Sequence, residues 1–502
     1  MSTPRHQLLA SAPWAYWRDV LAIAAAALTV ACASGGLIVL APVVQLALLA
    51  ALTAGLIAPS VRRAALAGAV GCAVGLALGP ASAWYGPAEL GSRIASGLAS
   101  VAFCAAAAAG VRWALKARPA TGRVFVWLAL ALLIGNLWYT TLSANTESTH
   151  DPITGVQMPS FNEQIAGDTP ATIAMSDDAW WYRLLLDVRA GKPYYPALAA
   201  ALEENPRWEP ASVMDFRMPT LYYLWRLLPD AGAVVPLFLL FATCGILALV
   251  PIAKGFVRLP LVIPAAAAVA SYFQFFPVQI SLFSQEAWAA AIGLLSFAAF
   301  AVSLRSGRWK AFTIAAVLFA VAATLVRETI AFLPLAGLAS AFLFEGAQRG
   351  FRATAWGAGV AALGGAYLVH YLNARPYVVP AEGFGRLGKG GLSAVASAVT
   401  YGTDFLGSTG VLAALLAVAG IVGAVLLRDT ALRAFVLGTT GLTLASFLVL
   451  GNSAWYETTG MPVNYWGASV MPLVYATVPL IFTLVPGAAV KASGAVAERC
   501  GG

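Results

Sequence analysis

The sequence predicts an all-α protein: a polytopic transmembrane helical bundle of about 14 spans, with an extracytoplasmic loop containing amphipathic interfacial helices. Three observations predict it. Hydrophobic residues make up 60% of the 502, and only 10% are charged, against roughly 25% in soluble domains. A soluble chain has too little polar surface to cover that much apolar side chain. The scarce charges also leave many apolar runs near the ~20 residues that a bilayer-crossing helix needs. Finally, the basic residues collect on alternate connections between those runs. Soluble globular, disordered and fibrous classes are excluded.

Taken in order, apolar runs bounded by charge, Pro, Gly or polar clusters fall at 19–38, 41–59, 64–80, 95–111, 124–142, 233–250, 259–276, 286–304, 309–325, 329–345, 353–371, 410–427, 433–450 and 467–486. Arg5, Arg18 and the small residues Ala31, Cys32 and Ala33 imitate a secretory signal. The apolar stretch continues to residue 59, too far for a signal peptide alone, so it reads as two retained spans broken at Ser34–Gly36 and Pro42. Residues 1–123 form a four-span N-terminal membrane module rich in Ala and Gly, which let membrane helices pack closely. Residues 124–486 form a second membrane module, and 487–502 a cytoplasmic tail.

Loop charge orients the chain, because cytoplasmic connections carry excess Lys and Arg. With the N-terminus inside and strict alternation, inside segments hold 19 of the 30 basic residues and only Asp19, Glu345, Asp429 and Glu498 of the acidic ones. Inside sums to +15 and outside to −7, which together give the net +8. The basic balance is thus an orientation label for a multi-pass protein of the plasma (inner) membrane with both termini cytoplasmic. Nucleic acid is not expected as a partner, whereas membrane lipids are. Cys32, Cys72, Cys104 and Cys244 lie in apolar runs and Cys500 in the tail; they read as small packing residues, and His6, His150 and His370 are too scattered for a histidine metal site.

The outside loop 143–232 carries 12 acidic residues, and a loop of that length is usually functional. Within it, Trp181, Leu184, Leu185 and Val188 recur at helical spacing, so 178–190 reads as an amphipathic helix on the membrane surface. Ser176 or Asp177 would cap it, and Gly191 would end it. Asp177 and Asp178 then have two readings. They are helix-start carboxylates favoured by the dipole, or acids at the bilayer edge that act as general base or hold a divalent cation, Mg or Mn. Most of Tyr194, Tyr195, Tyr222, Tyr223, Trp455, Tyr456 and Tyr465 read as interfacial anchors, with stacking on a sugar ring the alternative for a few. The glycines of 383–391, GFGRLGKGG, lack the strand–loop–helix setting of a phosphate loop and read as a flexible connection.

Over 124–486 the chain resembles the GT-C superfamily of integral-membrane glycosyltransferases. An acidic pair opening an amphipathic, aromatic helix that a glycine ends is matched by Asp177, Asp178, Trp181, Tyr182 and Gly191. FRMPTLYYLWRLLP (216–229), SQEAWAAAIGLL (284–295), RSGRWKAF (305–312), LVRETIAFLPLAG (325–337) and NYWGASVMPL (464–473) follow in the family's order. The acidic loop follows the fifth span here, where the family places it after the first.

The resemblance implies an inverting transfer of a sugar from a polyprenyl-phosphate donor to a glycan, lipid or protein acceptor on the extracytoplasmic face. It makes Asp177 or Asp178 the catalytic carboxylate. A lipid phosphate beside the bilayer is best held by Arg, which binds two oxygens at once; Arg217, Arg327, Arg375 and Arg386 are the outer-face candidates, with Lys389 beside them. Glu286, Glu328, Tyr182 and Tyr465 are supporting candidates. Arg327 and Glu328 can also simply mark a short turn, Glu286 can be a helix-start carboxylate, and Arg217 can snorkel to headgroups. The alternative class is a multi-span transporter or lipid flippase. Broken helices and mid-membrane charges would mark it, whereas ionisable residues here cluster at outer helix ends.

Overall fold

The computed structural model describes residues 119–144, 149–150, 157–158, 177–203, 213, 216–278, 282–283, 285–378, 390–400, 411–450 and 465–484. The four N-terminal spans expected at 19–111 and the tail 487–502 lie outside them. The described residues are helices and the turns that join them, with one two-residue antiparallel pairing, β1 (Thr149–His150) with β2 (Gln157–Met158), and an isolated bridge between Lys254 and Val257.

The chain divides into two compact units. Of the described residues, one takes 119–136, 258–271 and 411–413, and the other takes the rest. All contacts discussed below lie within the second unit.

In chain order the helices are α1 (Pro119–Ala144), α2 (Asp177–Arg189), α3 (Tyr194–Glu203), α4 (Thr220–Arg226), α5 (Val234–Ala253), α6 (Val262–Val278), α7 (Glu286–Ser303), α8 (Trp309–Val326), α9 (Phe332–Ala341), α10 (Gly346–Ala374), α11 (Leu392–Thr400), α12 (Val411–Val425), α13 (Thr430–Ser446) and α14 (Met471–Tyr475). Short 3-10 turns occupy Leu259–Leu261, Glu328–Ile330, Arg375–Tyr377, Tyr465–Ser469 and Val478–Leu484. Among the described residues, α5, α7 and α8 are long and apolar enough to cross a membrane.

Helix α7 is the centre. It is apolar all round and almost wholly buried, as a helix without a polar face must be. Helices α5 and α8 pack along it, α10 packs on α8 and α9, and α13 packs on α9. Two end contacts fix the directions. Arg305, just past α7, donates from Nη1 to the Pro251 carbonyl near the end of α5, 3.1 Å away, so α5 and α7 run parallel. Arg327, just past α8, bonds Glu286 at the start of α7, so α7 and α8 run antiparallel.

Two predicted spans take a form other than one unbroken helix. The run at 329–345 folds as α9, ten residues, or about 15 Å at 1.5 Å per residue; Pro334 sits in its first turn, where a missing N–H costs little. The run at 467–486 is a broken helix, with Pro472 and Pro479 interrupting the backbone ladder. Beside the break, the Thr477 hydroxyl shares its one proton between the Gly420 carbonyl of α12 and the Val474 carbonyl, at 2.7 and 2.8 Å. A Cβ on Gly420 would run into the Val474 carbonyl, so glycine permits that approach.

Helix α2 matches its expected limits. Gly191, at φ +92°, turns the chain so that its own N–H reaches the Val188 carbonyl (3.1 Å) and Lys192 N–H reaches Asp187 (3.0 Å), a Schellman end. The setting of its apolar face differs from expectation. Trp181, Tyr182, Leu184, Leu185 and Val188 are all buried against protein, as are Tyr194 and Tyr222, expected as interfacial anchors. Amphipathic aromatics suit a headgroup layer and a protein core equally, and here neighbouring helices cover them.

Candidate functional site

Four segments far apart in sequence meet at one end of α7. Glu286 opens that helix, fully buried, where the positive end of the dipole favours a carboxylate. Its Oε1 accepts from Arg327 Nε at 2.6 Å and lies 3.8 Å from Arg217 Nη2. Arg327 donates a second bond, from Nη1 to Glu328 Oε1 at 2.8 Å. Both guanidinium groups are buried, which a low-dielectric interior tolerates only with such pairing.

Helix α2 closes over this group. The Arg217 guanidinium stacks on the Trp181 ring, 3.7 Å from its centroid, and Tyr182 packs against Phe283 at 5.3 Å. Asp177 and Asp178 start α2 one turn ahead of Trp181; their side chains lie outside the described set. Arg189, at the other end of α2, donates to the carbonyls of Trp225, Leu228 and Pro229, so α2 is fixed to α4.

The strap 216–219 that carries Arg217 is held by polar contacts. Tyr194 donates its hydroxyl to the Arg217 carbonyl at 2.7 Å. His370 Nε2 is 2.8 Å from the Phe216 carbonyl, which only accepts, so Nε2 carries the proton. In the neutral ring Nδ1 then accepts from the Tyr195 hydroxyl at 3.0 Å. Burial pushes the Tyr194 phenol well above its ordinary range, and pushes Tyr195 up to about 12; both therefore stay protonated donors at neutral pH. Thr220 bonds the Leu325 carbonyl at 2.8 Å, tying the strap to the end of α8.

Of the expected phosphate ligands, Arg217 and Arg327 thus come together, with Glu286 and Glu328. Arg375 is exposed on a 3-10 turn whose Tyr377 ring lies 6.4 Å from that of Phe216, while Arg386 and Lys389 fall outside the described residues, as does the side chain of Tyr465. Among the described residues, no group of three or more His, Cys, Asp or Glu is placed to hold a metal ion. Sequence reasoning missed Gln285 and His370 as parts of the site, and it gave Tyr194 and Tyr195 no part in holding Arg217. His370 had a signal: an ionisable side chain in an apolar run is expensive and tends to be functional. The arrangement can hold a fixed, nearly balanced set of charges at a helix end, under an amphipathic lid that an acidic pair begins.

Compared with protein-family models, with curated proteins and with solved structures, the chain matches none.

Proposed function

We propose that this chain is an inverting glycosyltransferase that moves a sugar from a polyprenyl-phosphate donor to a glycan, lipid or protein acceptor on the extracytoplasmic face of the inner membrane. In this reading the chain crosses the bilayer about 14 times, with both termini cytoplasmic. Asp177 or Asp178 orients and deprotonates the acceptor hydroxyl. That oxygen attacks the anomeric carbon from the face opposite the phosphate, the carbon–oxygen bond to the phosphate breaks, and the lipid phosphate leaves with the bonding pair. Arg217 and Arg327 bear on the leaving phosphate, as guanidinium groups suit its oxygens.

The observation that carries the reading is the convergence of Arg217, Glu286, Arg327 and Glu328 at one helix end, under a helix that begins with the acidic pair. The test is sugar transfer from a polyprenyl-phosphate donor by the solubilised chain. Asp177→Asn with Asp178→Asn is expected to lower transfer at least 100-fold, in the range a lost general base costs, while leaving the protein folded. Full activity in that double variant would remove the mechanism. Solute uptake into vesicles without any lipid donor would favour a transporter.

A further inference from the structure

One feature of the same helix end is left unused by the pairing of charges. Gln285 is buried, and neither its Nε2 nor its Oε1 has a hydrogen-bond partner among the described residues. The second carboxylate oxygen of Glu286, Oε2, is likewise buried and unpartnered among them. An unsatisfied buried polar atom costs about 1–3 kcal/mol, and native interiors hold few of them. Here three fall on two consecutive residues.

Gln285 is costly in a second way. It is the only non-glycine residue with positive φ among the described residues, at 76°, a conformation that L side chains pay for and that collects at ligand sites. It occupies the N-cap of α7 yet makes no capping bond with its side chain. The local structure therefore gives no reason for a glutamine here.

The unmet chemistry is specific. Gln285 Nε2 offers donors, whereas Gln285 Oε1 and Glu286 Oε2 want them. A phosphate would be repelled by the Glu286 oxygen. A metal cation would sit among the buried Arg217 and Arg327 charges, which oppose it. Hydroxyl groups, each both donor and acceptor, satisfy all three atoms. We propose that Gln285 and Glu286 form a subsite that reads the ring hydroxyls of the donor sugar, one turn of polar contacts beside the arginines that face its phosphate. This rests on the glycosyltransferase reading above and names how that site recognises the sugar.

The test is thermal stabilisation of the solubilised full chain by polyprenyl phosphate alone and by polyprenyl-phosphate mannose, glucose and arabinose. At least one sugar-bearing lipid is expected to raise the midpoint beyond the rise given by polyprenyl phosphate. Gln285→Met should abolish that extra rise, keep the rise due to phosphate, and leave the ligand-free midpoint equal or higher, because an unsatisfied polar group has been removed. Gln285→Gly, which suits the positive φ, is the second variant should the methionine form fail to fold, and it should behave alike. Equal stabilisation by sugar-bearing and bare lipid would overturn the subsite while leaving a lipid-phosphate site standing, and so would a full extra rise retained in the variants, which would mean that water alone satisfies these atoms. No stabilisation by any of the four lipids would sink the donor reading and the subsite together.

Discussion

Arg327 illustrates how one buried guanidinium can organise a helix end. It bonds acids from different elements, Glu286 of α7 and Glu328 of the 3-10 turn that follows α8. Removing one partner of a buried pair leaves an uncompensated charge and costs about 3–5 kcal/mol. Arg327→Met is therefore expected to lower the thermal midpoint of the solubilised chain markedly, since among the described residues Glu286 would keep only the cation Arg217, whose Nη2 is 3.8 Å away. Arg327→Lys should fall between, because an ammonium lacks the planar fork that serves both acids. Arg375→Met, on an exposed turn, should shift stability by no more than about 0.5 kcal/mol. A drop for Arg375→Met as large as that for Arg327→Met would show that burial does not govern these cations.

At the scale of the element, α2 shows what the sequence made legible and what it did not. Its extent was readable because its signals are local: Leu184, Leu185 and Val188 at helical spacing, then Gly191. A Cβ on Gly191 would meet nothing within 4 Å, so its replacement is penalised through φ alone. Gly191→Ala should cost about 1 kcal/mol, and Gly191→Asn less, since Asn tolerates the left-handed region; thermal unfolding of the two variants reads the order, and equal midpoints for both and for the wild type would refute it. The cover on α2 was not readable, because Trp181 and Tyr182 are as apt for headgroups as for a core. The broken run at 467–486 had a visible warning in Pro472 and Pro479, which hydropathy alone overrides. The state of Gln285 could not be read at all: its lack of a hydrogen-bond partner among the described residues comes from how distant segments meet, and a glutamine before a glutamate carries no sign of it.

At the scale of the whole molecule, the charges sort to the two ends of the central helices. Helix α7 has 18 residues, about 27 Å at 1.5 Å per residue, close to the ~30 Å of a bilayer's apolar core. At one end lie Glu286, Arg217 and Arg327. At the other, Arg305 reaches the end of α5, and Arg352 from α10 bonds the Ser303 hydroxyl at 2.9 Å. Arg308 and Lys310 flank the same turn, and burial pulls the Arg305 guanidinium below its ordinary range with Asp429 opposing the shift. The pairs that bring α7 and α8 together at Glu286 and Arg327 thus put the basic turn 304–308 a full helix length from the acidic and aromatic loop. In the orientation proposed above, which the positive-inside tendency favours, the basic turn is cytoplasmic and the Glu286 end, with α2, faces the other side. A reporter active only outside the cytoplasm, inserted after the exposed Lys192, should give signal, and the same reporter inserted after Gly307 should give none. Signal from 307 and silence from 192 would invert the chain in the membrane, moving the acidic pair to the cytoplasmic face and excluding the extracytoplasmic sugar transfer proposed above.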